Sequence, residues 1–163
     1  MNINHINFLK ECLEIDPLFQ GCLYELAVAT DSYDVWMATM RSESHNFKEL
    51  AHEYIAAGLH EDAIEILKAC PKKDAICWYM FGFLYMKLNN GEKAKEFFKE
   101  GEKCCPDYCF PNRIEEIRIL NAAIATLSQA PMAHYYLGNL LYDKKQYKDA
   151  ARHWEIAAKE KNT

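Results

Sequence analysis

Residues 75–106 read AICWYMFGFLYMKLNNGEKAKEFFKEGEKCCP, and this stretch decides the fold. Its large apolar residues recur every three or four positions on both sides of the sequence NNG at 89–91, which is typical of two helices joined by a turn. Asp74 stands where a side chain can cap the first helix, and Pro106 follows the second. The stretch therefore predicts a helical hairpin.

The same hairpin pattern occurs twice more along the chain. In residues 44–71, Gly58 separates two periodic segments, and glycine readily adopts the left-handed conformation that ends many helices. In residues 131–157, the turn falls near residues 144–146. The remaining segments also have a helical period, and none alternates as a strand would. The sequence thus predicts an all-α fold.

Certain residue types recur at fixed positions of these hairpins. The recurring set comprises Trp78, Gly82, Tyr85, Ala94, Phe98, Pro106, Leu137, Gly138, Ala150 and Trp154. This set resembles the signature of the tetratricopeptide repeat (TPR) family. The resemblance implies an α-α superhelix, a TPR solenoid of about ten antiparallel helices. It also implies that the small residues let paired helices approach closely, and that the aromatic at Phe98 fills space against the next repeat.

The whole chain, residues 1–163, is predicted to be a single TPR array. Its predicted segments are a half repeat (2–17), a degenerate repeat (18–43), two repeats (44–74 and 75–108), a degenerate unit (109–130) and a final repeat (131–163). The degenerate unit is too short for a hairpin. We expect one helix there, capped by Asn112 with Glu115 three residues further on.

Two segments carry a second resemblance. The sequences DYCFPNR at 107–113 and YYLGNLLYDK at 135–144 are similar to the repeat region of a group of large bacterial proteins. In that group, TPR arrays follow a β-sandwich domain that resembles carbohydrate-active enzymes. The resemblance implies that the matched residues belong to a repeat scaffold rather than to a catalytic site.

Composition and charge narrow the classes of partner. The chain has 163 residues, of which 50% are hydrophobic, and its formal charge of -5 is spread along the sequence. It offers no basic stripe on which a nucleic acid could lie. Charged residues interrupt the apolar stretches, and the first residues lack the features of a secretory leader. We therefore expect a cytoplasmic protein with neither nucleic acid nor membrane as a partner.

No combination of residues predicts catalysis, a cofactor or a metal. The seven cysteines include no CxxC pair, and the tightest group, Cys104, Cys105 and Cys109, lacks the four ligands at recognisable spacing that a zinc site needs. His45 and His52 share a helix face, but the sequence places no carboxylate to orient them. We therefore expect a protein that is not an enzyme.

The TPR resemblance also implies a binding surface, because the first helix of each repeat lines a concave groove in that family. The matching positions hold His45, Lys48, His52, Tyr79, Phe83, Met86, Tyr135, Asn139 and Tyr142. Exposed aromatic and apolar side chains of this kind commonly mark a partner surface. The predicted function is therefore a non-catalytic scaffold that mediates protein–protein or interdomain interaction through an aromatic groove.

Other interpretations remain open at this point. Neighbouring helices or a neighbouring domain of a longer parent protein could cover the groove. The chain could be a structural spacer within a larger carbohydrate-related protein. It could also self-associate into a homo-oligomer, because a repeat buries its apolar face only against a neighbour.

One family activity is disfavoured by residue type. TPR domains that bind chaperone tails hold the terminal carboxylate with basic and amide side chains, and Lys48 matches one such position. The other positions are occupied by His52, Met80, Met132 and Tyr136. A carboxylate is costly to desolvate without a compensating cation. The expected partner is therefore a protein or peptide of another kind.

Overall fold

Ten α-helices account for most of residues 3–161, which are the residues that the computed structural model describes. The helices are α1 (Ile3–Ile15), α2 (Gln20–Thr30), α3 (Asp34–Met40), α4 (Ser44–Ala56), α5 (His60–Ala69), α6 (Ala75–Lys87), α7 (Gly91–Lys103), α8 (Glu115–Thr126), α9 (Pro131–Asp143) and α10 (Tyr147–Lys161). No strand occurs within residues 3–161, and the predicted all-α solenoid is confirmed. Residues 1–2 and 162–163, where the predicted array begins and ends, lie outside this range.

The three predicted hairpins are formed by α4 with α5, α6 with α7, and α9 with α10. Their turns contain a residue in the left-handed region, namely Gly58 (φ 78°), Asn89 (φ 57°) and Lys145 (φ 63°). The Asp74 carboxylate accepts a hydrogen bond from the Cys77 backbone N–H at 3.0 Å, which confirms the predicted cap of α6. Local sequence signals therefore fix where these helices begin and end.

Two glycines allow the paired helices to approach closely. A Cβ atom on Gly82 would lie 2.3 Å from the Phe98 ring, and one on Gly138 would lie 2.4 Å from the Trp154 indole. The aromatic side chain of the second helix therefore occupies the volume that a side chain on the first helix would need. The Phe98 ring, which was predicted to fill space against the next repeat, lies against the glycine of its own hairpin.

The first part of the chain is joined to the hairpins by aromatic packing. Helix α1 packs on α2, and α2 packs on α3. The Trp36 ring makes edge-to-face contacts with Tyr24 at 5.0 Å and with Phe47 at 5.7 Å between ring centroids. These contacts connect α2, α3 and α4 in one core, and Trp36 is fully buried within it.

Helix α8 is the single helix expected between the hairpins, but its N-terminus differs from the prediction. The N-cap position is occupied by Ile114, which provides no side-chain hydrogen bond, so the predicted Asn112 cap is wrong. Instead, the Glu116 carboxylate accepts hydrogen bonds from the backbone N–H groups of Asn112 (2.8 Å) and Arg113 (3.0 Å). A side chain of the helix itself thus binds the preceding loop, which places Asn112 outside the capping position.

None of the helices within residues 3–161 combines the length and apolar character needed to cross a membrane.

We expect Gly82→Ala to lower the free energy of unfolding by about 1 to 3 kcal/mol, because the added methyl group overlaps the Phe98 ring. Gly91→Ala is the matched control, since a Cβ atom there meets nothing within 4 Å and alanine favours a helix. Urea-induced unfolding followed by circular dichroism measures both. Equal stability of the two variants would contradict the assigned close approach.

Candidate protein-binding surface

Helix α8 lies over part of the predicted concave groove. It packs against α6 and α9. The Arg118 guanidinium lies 5.9 Å from the centroid of the Phe83 ring, and Arg113 forms an ion pair with Glu49 on α4. The single-helix unit between two hairpins therefore occupies a surface that the repeat pattern alone assigns to a partner. The space that remains there is a cleft of about 230 Å³ between α4, α6 and α8.

A buried His–Glu pair connects α8 to α4. The Nε2 atom of His52 lies 3.6 Å from Glu116 Oε1, and their side chains are only 1% and 4% exposed. Glu116 also accepts the two backbone hydrogen bonds of the preceding loop. Removing a carboxylate from such a site leaves buried N–H donors without an acceptor, which is costly. Glu116 therefore fixes the loop before α8 by hydrogen bonds and lies close to His52 on α4.

The structure divides the predicted groove residues into a buried group and an accessible group. The buried residues are Lys48, His52, Tyr79 and Phe83; Met86 and Asn139 are partly buried; and His45, Tyr135 and Tyr142 are exposed. In the middle of the chain, the predicted groove is therefore covered by neighbouring helices, which is one of the interpretations that the sequence leaves open. Helix α8 covers His52 and Phe83. The N-terminus of α6 covers Lys48, and the N-terminus of α9 covers Tyr79.

Lys48 and Asp74 form the contact between the first and second predicted full repeats. The Lys48 ammonium lies 2.6 Å from Asp74 Oδ2, while Asp74 Oδ1 caps α6. Burial raises the pKa of Asp74, but Lys48 and the hydrogen bonds from Cys77 and Ser44 outweigh it, so the pKa lies below its ordinary value. Lys48 thus keeps the Asp74 carboxylate in its charged form, and this carboxylate caps the first helix of the next hairpin.

Tyr79 performs the same role one repeat later. Its hydroxyl donates a hydrogen bond of 2.7 Å to Glu102 Oε1, and Glu102 accepts hydrogen bonds from the backbone N–H groups of Met132 (2.8 Å) and Ala133 (2.9 Å) at the start of α9. Burial and the neighbouring Glu102 raise the pKa of Tyr79, so it remains a neutral donor. Lys48 and Tyr79 are each the fifth residue of their repeat, counted from the start of α4 and of α6. In both repeats, this residue donates a hydrogen bond to a carboxylate that binds the N-terminus of the first helix of the next hairpin.

Two of the predicted groove residues, Tyr135 and Asn139, line a pocket between α9 and α10, and Tyr142 lies beside it. We name this the C-terminal pocket; it has a volume of about 490 Å³ and is lined by Pro106, Pro131, Met132, Tyr135, Asn139, Trp154, Ala157, Ala158 and Lys161. Tyr135 is 38% exposed, and Tyr142, whose ring contacts that of Trp154, is 54% exposed. Asn139 Oδ1 accepts a hydrogen bond from Trp154 Nε1 at 3.0 Å, which fixes the indole in the wall. The structure thus brings Tyr135, Asn139 and Tyr142 together.

The remaining predicted polar residues lie apart from this pocket. His45 is exposed on α4, 4.0 Å from Glu49. His134 is buried and shares a 2.7 Å hydrogen bond with His153. Burial and the neighbouring His134 ring lower the pKa of His153. Within residues 3–161, no group of three or more metal-ligating side chains comes together.

Sequence reasoning missed Glu102, Arg113 and Glu116, which carry the polar contacts between units. Glu102 lies on α7 among several charged residues, so nothing in its local pattern distinguishes it from a solvated glutamate. Glu116 stands next to Glu115, and the sequence offers no reason to prefer one of the two. A usable signal was available only for Asp74, which directly precedes an apolar helix.

We expect Glu116→Ala to lower the free energy of unfolding by about 1 to 3 kcal/mol, because two backbone N–H groups lose their acceptor and His52 loses its buried partner. The matched control is Glu115→Ala, because the Glu115 side chain is largely exposed. Urea titration gives the stability, and amide hydrogen exchange should show faster exchange in α8 for the first variant alone. Equal effects of both substitutions would contradict the proposed role of Glu116.

We expect Tyr79→Phe to lower the free energy of unfolding by about 1 to 2 kcal/mol, because Glu102 loses a buried hydrogen bond that orients it toward α9. Tyr85→Phe is the control, since Tyr85 contributes mainly a ring stacked on Phe97. Thermal and urea unfolding measure both. If Tyr79→Phe is as stable as the wild type, Tyr79 does not position the α9 N-terminus through Glu102.

The match to a known protein family falls on the hairpin of α6 and α7, which carries the fullest signature. The tetratricopeptide repeat model matches residues 75–108. No curated protein sequence matches the chain significantly. Similar solved structures include the pilF protein of Pseudomonas aeruginosa (16% identity, TM-score 0.40, covering 93% of this chain and 65% of that one) and MamA (14%, 0.37, 96% and 86%). Another is YrrB, a TPR protein with an unusual peptide-binding site (13%, 0.39, 91% and 90%).

The chain thus spans 65% of the length of the pilF chain. The family match covers α6 and α7, which hold Trp78, Gly82, Tyr85, Ala94 and Phe98 of the recurring set, and it includes Pro106 in the segment that follows α7. Residues 75–108 thus resemble a tetratricopeptide repeat in sequence and form a helical hairpin.

Proposed function

We propose that this chain is a non-catalytic scaffold that binds a protein or peptide, and that the partner contacts the C-terminal pocket between α9 and α10. The observation that carries this proposal is the exposure of Tyr135 and Tyr142 beside an apolar concavity of about 490 Å³. Apolar concave surfaces with a few polar groups are typical binding sites, and tyrosine is enriched at protein interfaces.

A comparison of equivalent positions within the chain supports this choice of surface. Tyr135 occupies in its repeat the place that Tyr79 occupies in residues 75–108, and Ala157 corresponds to Gly101. Tyr79 is fully buried and packs against both Gly101 and the ring of Tyr136 on α9. The matching surface on α9 and α10 has the same character, but its central tyrosine is exposed. An occupant would bury that surface.

Self-association is a second candidate that a specific observation favours. Apolar side chains are exposed at the opposite end of the array, including Phe8 (60%) and Ile15 (88%). Two apolar ends on one chain would allow copies to associate. Three further proposals come from the sequence: an interdomain contact, a spacer within a larger carbohydrate-related protein, and a cytoplasmic location. The contacts within residues 3–161 favour none of them.

Photo-crosslinking at position 135 tests the proposed surface. We expect a photoreactive phenylalanine analogue at Tyr135 to capture one specific protein, and the same analogue at Arg152, which is exposed on α10 outside the pocket, to capture none. The captured protein, produced separately, should bind the purified chain in calorimetry, and Tyr135→Ala combined with Tyr142→Ala should weaken that binding by about tenfold or more.

Two results would contradict the proposed function. One is the same set of captured proteins at positions 135 and 152, which would indicate random encounters. The other is unchanged affinity of the purified partner for the double variant. Circular dichroism of the double variant should match the wild type, because both tyrosines are exposed and their removal leaves the core intact.

A further inference from the structure

The cleft between α4, α6 and α8 is lined by more nitrogen-bearing side chains than acids. It has a volume of about 230 Å³, and its polar and aromatic lining consists of His52, His60, Phe83, Lys87, Glu115 and Arg118. We name it the central cleft, and it shares no lining residue with the C-terminal pocket. Four of its side chains can donate hydrogen bonds from nitrogen. This composition suits an anionic ligand.

Two cations of the central cleft lie over the same aromatic ring. The Lys87 ammonium is 5.2 Å and the Arg118 guanidinium 5.9 Å from the centroid of the Phe83 ring. Neither cation forms an ion pair with a carboxylate of residues 3–161. Like charges repel, so two unpaired cations at one ring favour an anion that contacts both.

The two acids nearest the central cleft already have other partners. The Glu115 carboxylate lies 3.5 Å from the Arg113 guanidinium. Glu116 accepts hydrogen bonds from the backbone N–H groups of Asn112 and Arg113. These contacts offset the negative charge of both acids. The positive charge of the cleft is therefore left to an incoming group.

His52 is buried in the wall of the central cleft without a hydrogen-bond partner. Its side chain is 1% exposed, and neither ring nitrogen has a partner among the residues that the structure describes. The nearest acceptor, Glu116 Oε1, is 3.6 Å from Nε2, which is longer than a hydrogen bond. An unsatisfied buried polar group is costly. A ligand oxygen that accepts a hydrogen bond from the imidazole removes part of this cost.

The number and type of these groups match a phosphate monoester better than a carboxylate. A phosphate monoester carries a charge of about −1.5 to −2 near neutral pH and three strong acceptor oxygens, enough for two cations and an imidazole. Guanidinium groups bind phosphate oxygens in a bidentate way. Drug-sized ligands occupy pockets of about 300–1,000 Å³, so the central cleft suits a smaller molecule.

We propose that the central cleft binds a small phosphate monoester. The phosphate group contacts Lys87 and Arg118 and accepts a hydrogen bond from His52, and the organic group packs on Ile55 and Ile119, which also line the cleft. Such a ligand bridges α4, α6 and α8 and stabilises the folded chain by binding to it. The inference concerns a site apart from the C-terminal pocket and does not rest on the proposed function.

Calorimetric titration of the purified chain with phenyl phosphate tests the proposal. We expect saturable binding of one molecule per chain with a dissociation constant below about 1 mM. Benzoate, which carries one charge and two acceptor oxygens on the same ring, should bind at least about tenfold more weakly at equal ionic strength. Phenol, which has the ring without the charge, should show no saturable binding.

Surface variants locate the site. We expect Arg118→Gln and Lys87→Gln each to weaken binding of phenyl phosphate by about tenfold or more, and both side chains are exposed, so the fold should persist. Lys93→Gln is the matched control. The Lys93 ammonium lies 5.1 Å from the centroid of the Tyr85 ring, in a similar contact outside the cleft. This control should change the affinity by less than about twofold.

The role of His52 is tested by a variant and by nuclear magnetic resonance. His52→Leu should weaken binding by about tenfold, because the ligand loses a buried donor. Thermal unfolding checks that this variant folds. In the wild type, the imidazole nitrogen signals of His52 should shift on addition of phenyl phosphate, whereas those of His134 and His153 on α9 and α10 should not. The spectra provide the test if His52→Leu does not fold.

Four outcomes would overturn the inference. The first is the absence of saturable binding of phenyl phosphate. The second is an equal loss of affinity in Lys93→Gln and Arg118→Gln, which would indicate non-specific attraction to positive charge. The third is unchanged His52 signals at saturation. The fourth is a phosphotyrosine peptide that binds about a hundredfold more tightly than phenyl phosphate, which would assign the phosphate to a protein partner instead of a small molecule.

Discussion

The backbone N–H groups at the starts of α6 and α9 need acceptors, and the carboxylates that provide them also join these helices to the preceding hairpins. An α-helix leaves its first N–H groups without partners inside the helix. In this chain, Asp74 and Glu102 provide the acceptors, and each carboxylate is held by a donor from the preceding hairpin, Lys48 or Tyr79. The same contacts therefore satisfy the helix ends and join consecutive units.

Apolar packing supplies most of the burial around these junctions. Gly82 and Gly138 bring paired helices close enough for Phe98 and Trp154 to lie directly on the facing backbone. Such contacts stabilise one hairpin, but they leave its outer face to be covered by the next. The polar junctions then select how that next helix lies, because a buried carboxylate tolerates few positions in which all its donors are satisfied. Apolar packing thus stabilises each hairpin, and the polar junctions set how the next hairpin lies against it.

Helix α8 shows how a single helix can change the use of a repeat surface. It occupies the face of α4 and α6 that the repeat pattern assigns to a ligand, with Glu116 buried beside His52 and Arg113 paired with Glu49. The surface that remains accessible lies at the last hairpin, where Tyr135 and Tyr142 border an apolar pocket. The proposed protein-binding site therefore lies on the hairpin of α9 and α10, rather than along the centre of the groove.

The sequence by itself determined the helices, their turns and the pairing within hairpins, because these depend on residues close together in the chain. The period of apolar residues, the cap at Asp74 and the glycines at 82 and 138 are all local signals. Only the tertiary structure decided which predicted groove residues are accessible. Arg113 pairs with Glu49 across 64 residues, and no periodic pattern encodes a contact between surfaces so far apart in sequence. Tyr79 and Tyr135 occupy equivalent positions, and they differ in exposure because α9 packs on Tyr79, whereas no helix of residues 3–161 packs on Tyr135 in the same way.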